Sequence, residues 1–245
     1  VAGTVAAVGS KVTTFKPGDR VIGLLDMVES GATAEYVAIS TANLVPFPAT
    51  LSLADGAALP GAGLTAWQGL FTLGQLQANQ RVLITGAAGG VGTFAVQFAK
   101  WRGATVIGTA SSANASVLQA LGLDQLIDYH TQTVAAALTD PVDLILNLAP
   151  LSDEDVTALL KQLKPVGRLV STLNPADETV AKRLGVSAHQ MAVAMVSADL
   201  AKIVDLVTHN QVHAEITQRV SFTDLAQVHE QVGHTHGKVV IEVAP

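Results

Sequence analysis

Arg81-Val82-Leu83-Ile84-Thr85-Gly86-Ala87-Ala88-Gly89-Gly90-Val91-Gly92-Thr93-Phe94-Ala95 decides the fold of this chain. Five residues rich in Val, Ile and Leu read as a buried strand, and the glycine run after them reads as a tight turn. Val91, Phe94, Ala95, Phe98 and Trp101 then recur at helical spacing, so residues 91–102 form a helix with one apolar face. Glycines between a strand and a helix let backbone N–H groups come close to a pyrophosphate, and the helix start adds unpaired donors and a positive dipole end. A second strand, Thr105-Val106-Ile107-Gly108-Thr109, follows within the span that a dinucleotide-binding unit requires. A packing turn with no ligand is the alternative. In the frame G-x-G-x-x-G the glycine positions fall on Ala87, Gly89 and Gly92, so alanine stands in the first.

Outward from this unit the alternation continues. Helices are expected at 53–59, at 65–73 after a Gly61/Gly63 break, at 113–121, and at 152–163 behind a Ser152 cap. Strands are expected at 125–129, 142–146 and 168–172. Near-continuous apolar strands alternating with helices indicate a parallel sheet covered on both faces. The chain ends differ. Short strands at 1–9, 21–24, 34–39 and 44–48, separated by Gly/Pro turns such as Lys16-Pro17-Gly18-Asp19, suggest part of a small β-barrel. A helix at 197–209, a strand at 216–222, a helix at 223–232 and a strand at 238–243 close the chain. The fold class is therefore α/β: a doubly wound parallel sheet plus a partial barrel.

Composition removes several classes of function. Of 245 residues 49% are hydrophobic and 14% charged, which excludes intrinsic disorder. The net charge is −6 and no basic tract occurs, which disfavours nucleic acid as a partner. Cysteine is absent, so disulfides, thiolate zinc sites and cysteine nucleophiles are excluded within the chain. Residues 82–99 carry no charge over 18 positions, but the glycines and polar residues among them argue for strand, turn and helix rather than a membrane span. No G-x-S-x-G elbow is present.

Taken in order, the segments Val1-Ala2-Gly3, Phe15-Lys16-Pro17-Gly18-Asp19-Arg20-Val21, Ala34-Glu35-Tyr36-Val37, Ala57-Ala58-Leu59-Pro60-Gly61-Ala62-Gly63-Leu64-Thr65-Ala66, the glycine turn, Ile127-Asp128-Tyr129, Leu163-Lys164-Pro165 and Gly237-Lys238-Val239-Val240 resemble the zinc-free, quinone-oxidoreductase-like branch of the medium-chain dehydrogenase/reductase superfamily. The resemblance covers the whole chain. It implies a GroES-like catalytic domain at 1–57, a Rossmann cofactor domain at 58–196, and a linking helix returning to the catalytic domain at 197–245. It also implies that part of the catalytic domain lies upstream of Val1. The implied cofactor site comprises Ala87, Ala88, Gly89, Gly90, Val91 and Gly92 at the pyrophosphate. Thr65, Asn147, Leu173 and Met191 lie toward the nicotinamide, and Ser111, Ser112 and Tyr129 toward the adenosine ribose. For Thr65 a helix-start hydroxyl, for Asn147 a loop cap, and for Ser111 and Ser112 a helix N-cap are the alternatives.

No Asp or Glu occurs between residues 86 and 123, where an NAD site places its carboxylate about 20 residues past the turn, so NADP(H) is the expected cofactor. Against this, no Lys or Arg occurs between 103 and 160, and His130 beside Tyr129 is a weak substitute for arginine. Zinc-dependent relatives of the resembled family carry Cys and His ligands. Alignment through Thr65 puts the third ligand position on Gly61, so no metal is expected. The pairs His209/His213 and His234/His236 have ligand-like spacing without further ligands nearby, and read as surface or capping residues. A cytoplasmic location is expected, and the resemblance implies a homodimer, joined along the edge strand at 187–194, that transfers hydride, here expected from NADPH, to a quinone or α,β-unsaturated carbonyl. The alternative is a dinucleotide-binding scaffold or sensor with little turnover.

Overall fold

In the computed structural model, which describes residues 1–26, 31–230 and 236–243, the chain divides into two compact units, Val1–Leu64 with Val193–Pro245 and Thr65–Ala192. His234 and the end of the helix expected to reach residue 232 lie outside the described residues.

The first unit holds an antiparallel sheet in which β2 (Arg20–Gly23) lies between β1 (Ala2–Thr4) and β3 (Leu44–Pro46). Pro46 is tolerated because β3 is an edge strand and needs no second partner. Helix α1 (Leu53–Ala57) packs on this sheet: a Cβ added to Gly56 would stand 3.0 Å from Ile22 of β2. The strand expected at 34–39 does not form. That segment alternates in the right way, but among the described residues the sheet gives it no partner, and Tyr36 is 78% exposed.

The second unit opens within α2 (Leu59–Trp67), which runs straight through Gly61 and Gly63 rather than breaking there. It continues as a π-helical turn over Gln68–Leu73. Glycine at 69 lets that turn sit against the sheet, since a Cβ there would come within 2.7 Å of Leu146. The strands β4 (Arg81–Thr85), β5 (Thr105–Ala110), β6 (Gln125–Asp128), β7 (Val142–Asn147), β8 (Leu163–Ser171) and β9 (Ser187–Gln190) form one parallel sheet in the order β6-β5-β4-β7-β8-β9. Helix α3 (Gly92–Trp101) joins β4 to β5, and α4 (Ala115–Ala120), preceded by a 3-10 turn, joins β5 to β6. Two further short helices, α5 (Val134–Ala137) and α7 (Glu178–Leu184), were not legible in the sequence. Between them lies α6 (Asp153–Leu159), whose expected cap forms: Ser152 Oγ accepts from Asp155 N–H at 3.1 Å.

Leu83, Ile107, Ile127, Ile145 and Leu169 cover one face of the sheet and pack against Val156, Leu159 and Leu160. Phe94 and Phe98 of α3 are likewise fully buried and stack on one another, 5.8 Å apart. At the amino ends of the strands, Asp143 ties β7 to its neighbours, accepting from Arg81 N–H and Lys164 Nζ at 2.8 Å each. Beside it the chain loops out of β8 at Val166, which takes φ +60° although 84% exposed.

Beyond residue 192 the chain rejoins the first unit as α8 (Ser197–Thr208), the parallel pair β10 (Ile216–Ser221) and β11 (Lys238–Glu242), and α9 (Leu225–Glu230).

Candidate functional site

Strand order reverses between β4 and β7, and a ligand crevice opens outside the carboxyl ends of the strands at such a point. The glycine turn leaves β4 there. Gly86 takes φ +67° and its N–H donates to Thr109 Oγ1 at 3.1 Å, while Ala87 N–H donates to Thr109 O at 3.0 Å. Thr109 therefore fixes the turn from the end of β5. Sequence reading missed this role because it depends on the pairing of two strands.

The glycine positions divide by function. At Gly92 a Cβ would meet Gly86 O at 2.3 Å and Ala87 O at 2.5 Å, so this glycine serves the winding of the turn into α3. At Gly89 a Cβ would meet only Gly86 O, at 3.4 Å, so the space in front of it is open. Ala87 is fully buried. Its methyl occupies the room left by Gly108, where a Cβ would come within 2.8 Å of it. With its N–H already given to Thr109, Ala87 supports the turn and has neither a free donor nor an exposed side chain for a phosphate. Ala88, Gly90 and Val91 are half-buried at the helix start, where first-turn N–H groups lack intrahelical acceptors. An open approach at Gly89 beside those donors fits a dinucleotide pyrophosphate.

Asn147 ends β7, paired in register with Thr85. Its side chain runs sideways along the strand ends. Thr85 Oγ1 donates to Asn147 Oδ1 at 2.5 Å, and Asn147 Nδ2 donates to Ser171 Oγ at 3.0 Å. Thr85 Oγ1 also accepts from Leu148 N–H and Ala149 N–H at 3.1 and 3.3 Å. Asn147 and Ser171 are 0% exposed and Thr85 1%. The Asn147 amide thus bridges the ends of the two neighbouring strands, and the loop-cap alternative is not what its side chain does.

Of the remaining nicotinamide-side candidates, Thr65 lies in the interior of α2, half-buried, and is not a helix-start hydroxyl. Met191 is buried, donates its N–H to Ser171 O at 2.9 Å, and sets its sulfur beside Gly69. Leu173 is 44% exposed on the rim, its carbonyl accepting from Gln190 Nε2.

Ser111 and Ser112 follow β5. Ser111 stands at the cap position of the 3-10 turn Ser112–Asn114, but its hydroxyl caps no backbone N–H and instead accepts from Asn114 Nδ2 at 3.1 Å. Ser112 N–H is held from the neighbouring strand β6. Register between β5 and β6 sets Asp128 opposite Ala110, and Asp128 Oδ2 accepts from Ser112 N–H at 3.1 Å. Its Oδ1 accepts from His130 N–H at 3.0 Å. These bonds, that from His130 first, hold the Asp128 carboxyl below the usual carboxylate range. Tyr129 and His130 follow, exposed, their rings 4.3 Å apart. The signal available in sequence was an acidic residue at the end of the strand next to β5.

Two histidines outside this cluster pair with acids: His209 Nδ1 with Asp205 at 3.2 Å and His213 Nε2 with Glu215 at 2.7 Å. Among the described residues no three His, Asp or Glu side chains converge as a metal site, and no helix is long and apolar enough to cross a membrane.

A model of the alcohol dehydrogenase GroES-like domain matches residues 1–49, and one of zinc-binding dehydrogenases matches residues 121–241. The chain is 32% identical to the chloroplastic quinone-oxidoreductase QR1 of Triphysaria versicolor over 99% of this chain and 78% of that protein. It superposes on the structure of the quinone oxidoreductase from Coxiella burnetii with a TM-score of 0.92 and 32% identity, over 99% of this chain and 78% of that one. CurK enoyl reductase superposes with a TM-score of 0.84 and 28% identity, over 99% and 77%.

Proposed function

Because the chain belongs to the quinone-oxidoreductase-like branch of the medium-chain dehydrogenase/reductase superfamily, a family of oxidoreductases that bind a nicotinamide dinucleotide, we propose that it reduces a quinone or an α,β-unsaturated carbonyl with NADPH and without zinc. The observation that carries this reading is the glycine turn at the reversal point of the sheet, open in front of Gly89 and anchored behind by Thr109. The bound dinucleotide supplies the hydride.

This chain's own groups bind and orient. The glycine turn leading into α3 receives the pyrophosphate through the backbone of Ala88, Gly90 and Val91, while Ala87 and Gly92 keep the turn wound. Ser111 and Ser112 take the adenosine ribose, with Tyr129 at its edge. Thr65, Leu173 and Met191 shape the nicotinamide end. Glycine at position 61, where zinc-dependent relatives of the resembled family carry a ligand, supports chemistry without metal. Among the described residues the outer strand β9 has a neighbour on one side only, which supports a homodimer formed along that edge. A cytoplasmic location completes the proposal.

The test is oxidation of NADPH by the full-length protein with panels of quinones and enones, with and without chelator. Turnover that survives chelation is expected, together with tighter binding of NADPH than NADH. Dinucleotide binding without turnover on either panel would favour the scaffold or sensor, and loss of activity on chelation would remove the zinc-free assignment.

A further inference from the structure

Two strands deliver groups to one small polar cluster at the ends of β5 and β6. β5 contributes Ser111 and Ser112, and β6 contributes Asp128 with Tyr129 and His130. The serines alone favour a phosphate, since they bring hydroxyls and a backbone donor at the start of a helical turn. Asp128 opposes it. The carboxylate already occupies the Ser112 N–H, and the Ser112 hydroxyl also bonds to it. It keeps its charge, because the N–H groups of His130 and Ser112 stabilise the ionised form. No Lys or Arg between residues 103 and 160 offsets that charge from either loop.

We propose that Asp128 is a specificity-determining residue that weakens the preference for the 2′-phosphorylated dinucleotide, by competing for the Ser112 donors and by repelling the phosphate. The inference rests on the reading that the adenosine ribose lies against Ser111 and Ser112. A 2′-phosphate carries between one and two negative charges at neutral pH, so it feels the carboxylate strongly. A 2′-hydroxyl carries none. The wild-type chain accordingly accepts both dinucleotides with a narrow margin.

The experiment is titration of the full chain with NADPH and with NADH, for wild type, Asp128→Asn and Asp128→Ser, at low and high salt. Both substitutions remove the charge and keep an oxygen that can accept from Ser112 N–H. Thermal melting of each variant verifies that the exposed turn still folds. NADPH should bind about five- to tenfold more tightly to both variants, and NADH within twofold of wild type. The gain should shrink as salt screens the repulsion. Equal changes for the two dinucleotides, or none, would overturn the inference. A separate variant with both Ser111 and Ser112 replaced by alanine tests the underlying reading. If it leaves the NADPH-to-NADH ratio unchanged, the ribose does not lie there, whatever Asp128 does.

Discussion

Replacing Asn147 by alanine should destabilise the second unit by about 2–4 kcal/mol. The substitution removes the acceptor of the Thr85 hydroxyl and the donor to Ser171 Oγ in a place where all three residues are 0–1% exposed. A buried polar group left without its partner costs about 1–3 kcal/mol. Two groups are orphaned, although Thr85 Oγ1 keeps the bonds it accepts from Leu148 and Ala149. Ser171 loses only an accepted bond, and its own O–H is untouched, which trims the upper end of the sum. Urea unfolding followed by circular dichroism measures the loss as a lowered midpoint at unchanged slope. Thr85→Val and the double variant complete a cycle, in which a coupling of about 1–2 kcal/mol is expected between side chains in direct contact. Additive single effects, or a loss under about 0.5 kcal/mol for Asn147→Ala, would show that these strand ends are not tied through the amide.

Three further outcomes follow from the same geometry. Gly89→Val should leave the melting temperature nearly unchanged and abolish dinucleotide binding, whereas Gly92→Ala should lower stability itself, because its Cβ would collide with two backbone oxygens; calorimetric titration and melting separate the two. Val166→Gly should stabilise the chain by about 0.5–1.5 kcal/mol, since relief of a left-handed conformation of about 1–2 kcal/mol exceeds the added freedom of the unfolded glycine; a melting temperature that falls would refute it. Asp177 caps α7 by accepting from Thr179 and Val180 N–H at 2.7 and 3.1 Å, and its carboxyl is held below the ordinary aspartate value, by the Val180 bond first. That stabilisation is present above the ordinary value and is lost as pH falls through the depressed one, so Asp177→Ala should lower the melting temperature at pH 7 and have little effect in strong acid.

The central β4–α3–β5 unit was legible because three local signals agreed: an apolar run, a glycine turn and a helical repeat. The glycines at 61 and 63 misled for the opposite reason. Intrinsic propensity argues for a break, yet α2 is kept whole by packing, with Gly63 close against Ile203. The segment at 34–39 had the period of a strand without a sheet to join. In the candidate site, the residues of the glycine turn could be named from sequence, but not their division into Gly92 and Ala87, which build the turn, and Gly89, which leaves it open. Asp128 and Thr109 were hidden because each acts on a loop of a neighbouring strand, and sequence carries no register between strands 18 residues apart, such as Ala110 and Asp128. Asn147 could be named from its place at a strand end, but its bonds to Thr85 and Ser171 could not, since a side chain there can point along the sheet or away from it with the same spacing.

The line from Thr85 through Asn147 to Ser171 also bears on how this scaffold can be diversified. Its three central strand ends have committed their side chains to one another, so they are poor places to seek altered selectivity. Combinatorial libraries at 85, 147 and 171 should return mostly unfolded clones. The exposed residues at 173–175 hold no comparable place in the buried network, and variation there can reshape the crevice rim while the sheet stays intact. Such a division between a fixed frame and a variable margin lets one sheet serve many substrates.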